Sequence, residues 1–118
     1  MSTSPASARP GDLPTAVTRY LEAHRAHDTA TAISAFSGDA TVTDDGRTYE
    51  GTAAIEAWLA RSSVEYTYTT TLTGAERVDE THWTATNRLE GDFPGGVVDL
   101  NYRFTLTDGL IERLVIEP

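Results

Sequence analysis

Asp44 and Asp45 end a short β-branched run, Ala40 to Thr43, and Gly46 turns the chain into a second run, Arg47 to Glu50. Gly51 then opens a helical stretch, Thr52 to Arg61, with Ile55, Trp58 and Leu59 on one face. A carboxylate at the mouth of a strand thus meets a helix with an inward indole, a combination suited to a pocket wall. Two readings of Asp44 stay open. It exchanges protons inside a pocket, or it is a turn residue of Asp-Asp-Gly that bonds its own backbone. Asp45 reads as the solvent-facing member of that turn.

Three further side chains could do chemistry. Tyr20 and His24 lie one turn apart on the inward face of a helix predicted over Leu13 to His27. Histidine titrates near neutral pH, so His24 with Asp44 would make the acid–base pair a hydrolase or dehydratase needs; the plainer reading is a hydrogen-bonded interior histidine. His24 and His27 stand three apart, a spacing a metal tolerates, but the remaining histidine, His82, falls on the outward face of a strand, and no metal site is expected. Asn87 is a polar residue on a face otherwise made of Trp83, Ala85 and Leu89. A buried amide must be satisfied by protein, water or ligand, so Asn87 is a candidate ligand-binding residue. Trp58 and Trp83 are candidate walls for a flat ligand.

The elements that must position these residues can be read in order. Pro14 suits the first turn of the Leu13 to His27 helix. Asp28 can cap a second helix, Thr29 to Phe36, which Ser37-Gly38 ends. After the third helix, Val64 to Thr73 alternates as a strand, with Tyr66, Tyr68, Thr70 and Leu72 on one face. Gly74 is predicted to turn the chain into Ala75 to Val78. Thr81 to Glu90 forms a further strand, followed by the loop Gly91 to Gly96. Val97 to Thr107 and Leu110 to Glu117 form a last hairpin across Asp108-Gly109. Helices segregated from a run of strands predict an α+β domain with helices against one face of a curved sheet.

Composition narrows the function. The 118 residues make one domain, with residues 1–12, rich in Ser, Ala and Pro, read as a disordered lead-in to a domain over 13–118. There is no cysteine, hence neither disulfide nor thiolate nucleophile. The net charge is -9 and every basic residue is Arg. An acidic chain without a basic cluster is repelled by phosphate backbones and anionic membranes, so neither nucleic acid nor membrane is an expected partner. No apolar run reaches the roughly 20 residues a membrane helix needs, and the first residues lack the apolar core of a secretory signal.

The segments AVTRYLEAHRAHDTATAISAFSGDATVTDDG, YEGTAAIEAWL and YRFTLTDGLIERL resemble the SnoaL-like branch of the NTF2-like superfamily, which includes the ketosteroid isomerases. The resemblance runs over nearly the whole chain from about Leu13. It implies a cone of three N-terminal helices packed on a strongly curved antiparallel or mixed sheet enclosing an apolar pocket. It also implies a cytoplasmic homodimer assembled through the outer sheet face, acting without a cofactor. Carried over by position, it makes Asp44 the base and Tyr20 an oxyanion donor. The second donor, a carboxylic acid on a late strand, falls at Leu100, flanked by Asp99 and Asn101; alternation points those two away from whatever Leu100 faces. Leu100 and Tyr102 join Trp58, Trp83 and Asn87 as expected ligand contacts. The implied function is a pocket for a small hydrophobic, carbonyl-bearing molecule, with proton transfer of the isomerase or polyketide-cyclase kind. The alternatives are a non-catalytic ligand-binding or protein-interaction module, and a hydrolase or dehydratase using Asp44 and His24.

Overall fold

A computed structural model describes residues 6–8, 12–65 and 68–118. Helix α1 spans Thr15–Arg25, with Pro14 as its N-cap rather than inside its first turn. Its buried stripe is Ala16, Val17, Tyr20 and Ala23, the 3.6-residue periodicity of a helix lying on a core. His27, at φ 58°, breaks it. Asp28 then starts helix α2, Thr29–Ser34. Its carboxylate accepts from the Thr31 N–H at 3.2 Å and from the Thr31 hydroxyl at 2.7 Å, and these bonds lower its pKa.

Helix α2 is shorter than its sequence predicts. Phe36 does not close the helix; it opens strand β2, Phe36–Asp44. The Ile111 N–H donates to the Ala35 carbonyl at 2.8 Å, which draws the chain into the sheet two residues early. Strand β3, Arg47–Glu50, forms a hairpin with β2, and Asp45 and Gly46 supply the positive φ its turn requires, at 53° and 74°. Helix α3 runs Thr52–Glu65 and takes in Val64 and Glu65, which sequence periodicity assigned to the next strand.

Strands β4 (Tyr68–Arg77), β5 (His82–Gly91), β6 (Val97–Thr107) and β7 (Leu110–Glu117) complete a sheet with β1, Ala6–Ala8. The order is β1-β4-β5-β6-β7-β2-β3; β2 and β7 pair in parallel and the other neighbours are antiparallel. The lead-in expected to be disordered therefore contributes an edge strand at Ala6–Ala8; the rest of residues 1–11, and with it the expectation of disorder there, lies outside the described residues. The predicted facing of Tyr66 also lies outside them.

Gly74 does not turn the chain. β4 passes straight through it, and the register slips between Leu72, opposite Asn87, and Gly74, opposite Thr86. The extra residue, Thr73, is a β-bulge that reverses which side chains face inward, from Tyr68, Thr70 and Leu72 to Ala75. On β5, Trp83, Ala85, Asn87 and Leu89 face inward as alternation predicts.

The core lies between the concave side of the sheet and the helices. Tyr20, Ile55, Val42, Phe104, Ile111 and Leu114 are fully buried in it. Tyr20 meets Phe36 and Phe104 edge-on, with ring centroids at 5.5 and 5.9 Å. No helix among the described residues is long and apolar enough to cross a membrane. Removing the ring at the centre of this packing, by Phe104→Ala, is expected to cost about 3–5 kcal/mol of unfolding free energy, measured by urea denaturation; a loss below about 1 kcal/mol would contradict the packing described.

Candidate functional site

Asp44 is the last residue of β2, and alternation puts it on the same side as Ala40 and Val42, both fully buried. It is half-buried itself. Across the parallel ladder it faces Ile116 of β7, and across the hairpin Arg47. The Trp58 indole N–H donates to Asp44 Oδ2 at 3.1 Å. The bond depends on where α3 begins: Gly51, at φ 84°, donates to the Ala40 carbonyl at 2.9 Å, so the helix starts beside the strand that carries Asp44. Tyr49 braces the indole from outside, with centroids 6.1 Å apart, and its hydroxyl takes a 2.6 Å hydrogen bond from Arg61. Asp44 is therefore more than a turn residue, since its carboxylate is oriented by a buried side chain from another element.

Above Asp44 opens a cavity of about 560 Å³. Asp44, Trp58 and Ile116 form one wall; Tyr68, Leu89, Leu100 and Tyr102 line it from β4, β5 and β6; His24 approaches from α1. Phe93 and Pro94 reach it from the β5–β6 loop, and Asp45 stands at its rim. Leu100 faces inward as its alternation requires. Asp99 and Asn101 face the opposite way, Asp99 accepting from Arg88 at 3.1 Å and Asn101 from the Thr86 hydroxyl at 2.9 Å. No late-strand acid therefore enters the cavity beside Leu100.

The phenols are held neutral. Burial raises the pKa of Tyr102 well above its ordinary value, and the nearby Tyr68 and Asp44 add to the effect. Tyr68 is raised as well, by burial and then by Asp44. Both remain hydrogen-bond donors throughout the physiological range. Tyr20 is raised more strongly, by burial, Tyr102, Tyr68 and Asp44 in that order. Its hydroxyl is fully buried and has no hydrogen-bond partner among the described residues. Tyr20 thus lies electrostatically close to Asp44 but does not line the cavity.

His24 lines the cavity without pairing with Asp44. Its Nε2 lies 3.3 Å from the Tyr68 hydroxyl, and its ring stacks on Tyr20 at 5.7 Å with only 5° between the planes. Burial, with a smaller contribution from His27, lowers its pKa to about 4, so it is a neutral imidazole near pH 7. Two expected ligand contacts lie away from this cavity. Trp83 sits at the far end of β5 from this cavity, with the Arg77 guanidinium 6.0 Å from its ring centroid. Asn87, directly opposite Leu100 on the neighbouring strand, lines a different cavity. Among the described residues no group of three or more His, Asp or Glu could hold a metal ion.

Sequence reasoning missed Tyr68 and the pair Phe93-Pro94. Tyr68 could have been found from its place on the inward face of β4 with Leu72. Phe93 gives a weaker signal: a large aromatic inside a Gly-rich loop has no reason to be there unless it covers something.

No protein-family model and no curated protein sequence matches this chain. Solved structures do. A candidate polyketide cyclase from Sinorhizobium meliloti is 33% identical, with a TM-score of 0.86, over 93% of this chain and 100% of that one. The chain belongs to the SnoaL/NTF2-like superfamily. A Catenulispora acidiphila protein with a ketosteroid isomerase-like fold, crystallised with trimethylamine, aligns at TM-score 0.78 and 22% identity over 89% of this chain and 85% of that one. The Δ5-3-ketosteroid isomerase of a Mycobacterium species aligns at 0.71 and 20% over 87% and 89%. In this NTF2-like chain, as the fold requires, the helices pack on a curved mixed sheet, and the site described above lies between them.

The His24 environment has a measurable consequence. Its folded-state pKa of about 4 lies below the ordinary 6.5, so the folded state favours the neutral ring. The corresponding stability is fully present above pH 6.5 and is lost as the pH falls towards 4, by up to about 3 kcal/mol. Denaturation across that range should show the decline, and His24→Phe should flatten it. An unchanged slope in the variant would mean that other groups cause the loss.

Proposed function

We propose that this SnoaL-like protein binds a small hydrophobic, carbonyl-bearing molecule in the Asp44 cavity and moves a proton on it. One observation carries the reading: a carboxylate oriented by a buried indole shares an apolar cavity with two phenols that stay protonated. Abstraction of a proton next to a carbonyl needs a base on one side and donors where negative charge grows. Asp44 takes the proton from carbon, and the carbonyl oxygen becomes an enolate oxygen that accepts from Tyr102 and Tyr68. Tyr102 takes the donor role expected of Tyr20, because it lines the cavity and Tyr20 does not. Return of the proton to a different carbon gives isomerisation; attack of the enolate carbon on a second carbonyl gives an aldol ring closure, with the proton passing to the new alkoxide. The polyketide-cyclase description of the Sinorhizobium relative and the isomerase activity named for the Mycobacterium protein fit these two outcomes.

Leu100 favours a second reading, a binding protein without turnover. The resemblance asks for an acid where Leu100 faces the cavity, and the oxyanion set is one member short. An assay on a Δ5-3-ketosteroid separates the two. Catalysis predicts that Asp44→Asn lowers kcat by about 10²–10⁴ while steroid affinity changes little, and that Tyr102→Phe lowers it by about 10². Steroid binding without turnover in the wild type would establish the binding reading for this ligand; turnover that survives Asp44→Asn would remove Asp44 as the base.

We also infer a homodimer through the outer sheet face, where Thr84 is already nearly buried and Arg88–Asp99 and Arg103–Glu117 are paired at 3.1 and 2.6 Å. Sedimentation at micromolar concentration should give twice the 12.8 kDa chain mass, and a monomer there would refute it.

A further inference from the structure

We propose that the cavity between α1 and strands β4 and β5 is a second ligand site, separate from the Asp44 cavity, for a small neutral molecule with an apolar body and a carbonyl oxygen. Its volume is about 590 Å³. Leu13, Leu21 and Leu72 give it apolar walls, and Thr18, Glu22 and Arg25 of α1 form a polar rim. Asn87 also lines it, at 2% exposure, and the Asn87 amide nitrogen has no hydrogen-bond partner among the described residues. An unpaired buried donor is costly, and an acceptor atom on a bound molecule would offset that cost.

The chemistry of the occupant follows from the lining. The free group is a donor, so the ligand must bring an acceptor oxygen. The walls are leucine, so its body is a hydrocarbon. The rim holds one acid and one base, and the chain carries a net charge of -9, which disfavours an anionic ligand. The site is distinct from the first because the two cavities share no lining residue, although β4 and β5 contribute to both. In the rung Leu72–Asn87–Leu100, Leu72 and Asn87 line this cavity and Leu100 lines the other. Thr70 and Tyr68, two residues apart on β4, are split in the same way.

The test uses the full chain, methyl-labelled at Leu and Val, titrated with 2-heptanone and followed by NMR. It is run in the Val98→Trp protein, because Val98 of β6 also lines the Asp44 cavity and an indole there crowds it. The proposal expects saturable shifts of the Leu13, Leu21 and Leu72 methyls and of the Asn87 side-chain amide, at least fivefold weaker affinity in Asn87→Leu, and loss of the shifts in Leu21→Trp, which fills the cavity from the helix. Shifts confined to Leu89 and Leu100, shifts that do not saturate, or a Leu21→Trp protein that binds as well as its parent would overturn it. If Asn87→Leu does not fold, the Leu21→Trp comparison decides alone.

Discussion

Tyr20 is the contact on which the arrangement of this molecule turns. Its ring joins α1 to the sheet through Phe36 and Phe104, and His24 stacks on its other side. Close-packed aromatic edges leave no room beneath the middle of the helix. A curved sheet is wider than one helix can cover, so uncovered space remains beside α1. The helix gives His24 to the Asp44 cavity and Leu21, Glu22 and Arg25 to the cavity beside β4. The buried hydroxyl that makes no hydrogen bond is the cost of placing a tyrosine, rather than a phenylalanine, at this junction.

The electrostatics follow from the same geometry. Asp44, Tyr20, Tyr68 and Tyr102 interact through a poorly solvated region, where a negative charge on one resists ionisation of the others. The result is a carboxylate beside phenols that stay neutral donors. His24 does not disturb that balance, because burial keeps it uncharged.

Much of the fold was legible from periodicity, and the exceptions share a cause. Helical spacing placed Val17, Tyr20, Ile55, Trp58 and Leu59 on inward faces, and strand alternation placed Asn87 and Leu89, while which of Asp99, Leu100 and Asn101 faces inward was not legible. Phe36 and Thr73 escaped because their positions are set by partners remote in sequence: Phe36 is drawn into the sheet beside Ile111, and the Thr73 bulge is a mismatch of register against β5. The candidate site was legible to the extent that one element sufficed to aim a side chain, as for Asp44 and Trp58. Trp83 lies outside the Asp44 cavity; alternation reports which face a residue occupies and says nothing of how far along the strand a cavity extends. That Asn87 belongs to a second cavity depends on where α1 crosses the sheet, which the sequence does not encode locally.

The parallel pairing of β2 with β7 has a consequence for how the protein is made. Asp44 sits against Ile116 of β7. That neighbour is made 72 residues (116 − 44) after Asp44, and the exit tunnel withholds it longer still. Until then β2 has only its hairpin partner β3, with its other edge unpaired and Val42 uncovered on that side. Closing so long a loop is slow compared with forming the local helices and hairpins. The wall that carries the carboxylate is thus completed only after β7 has emerged, and a nascent chain stalled before β7 would present an open strand edge and an incomplete Asp44 cavity.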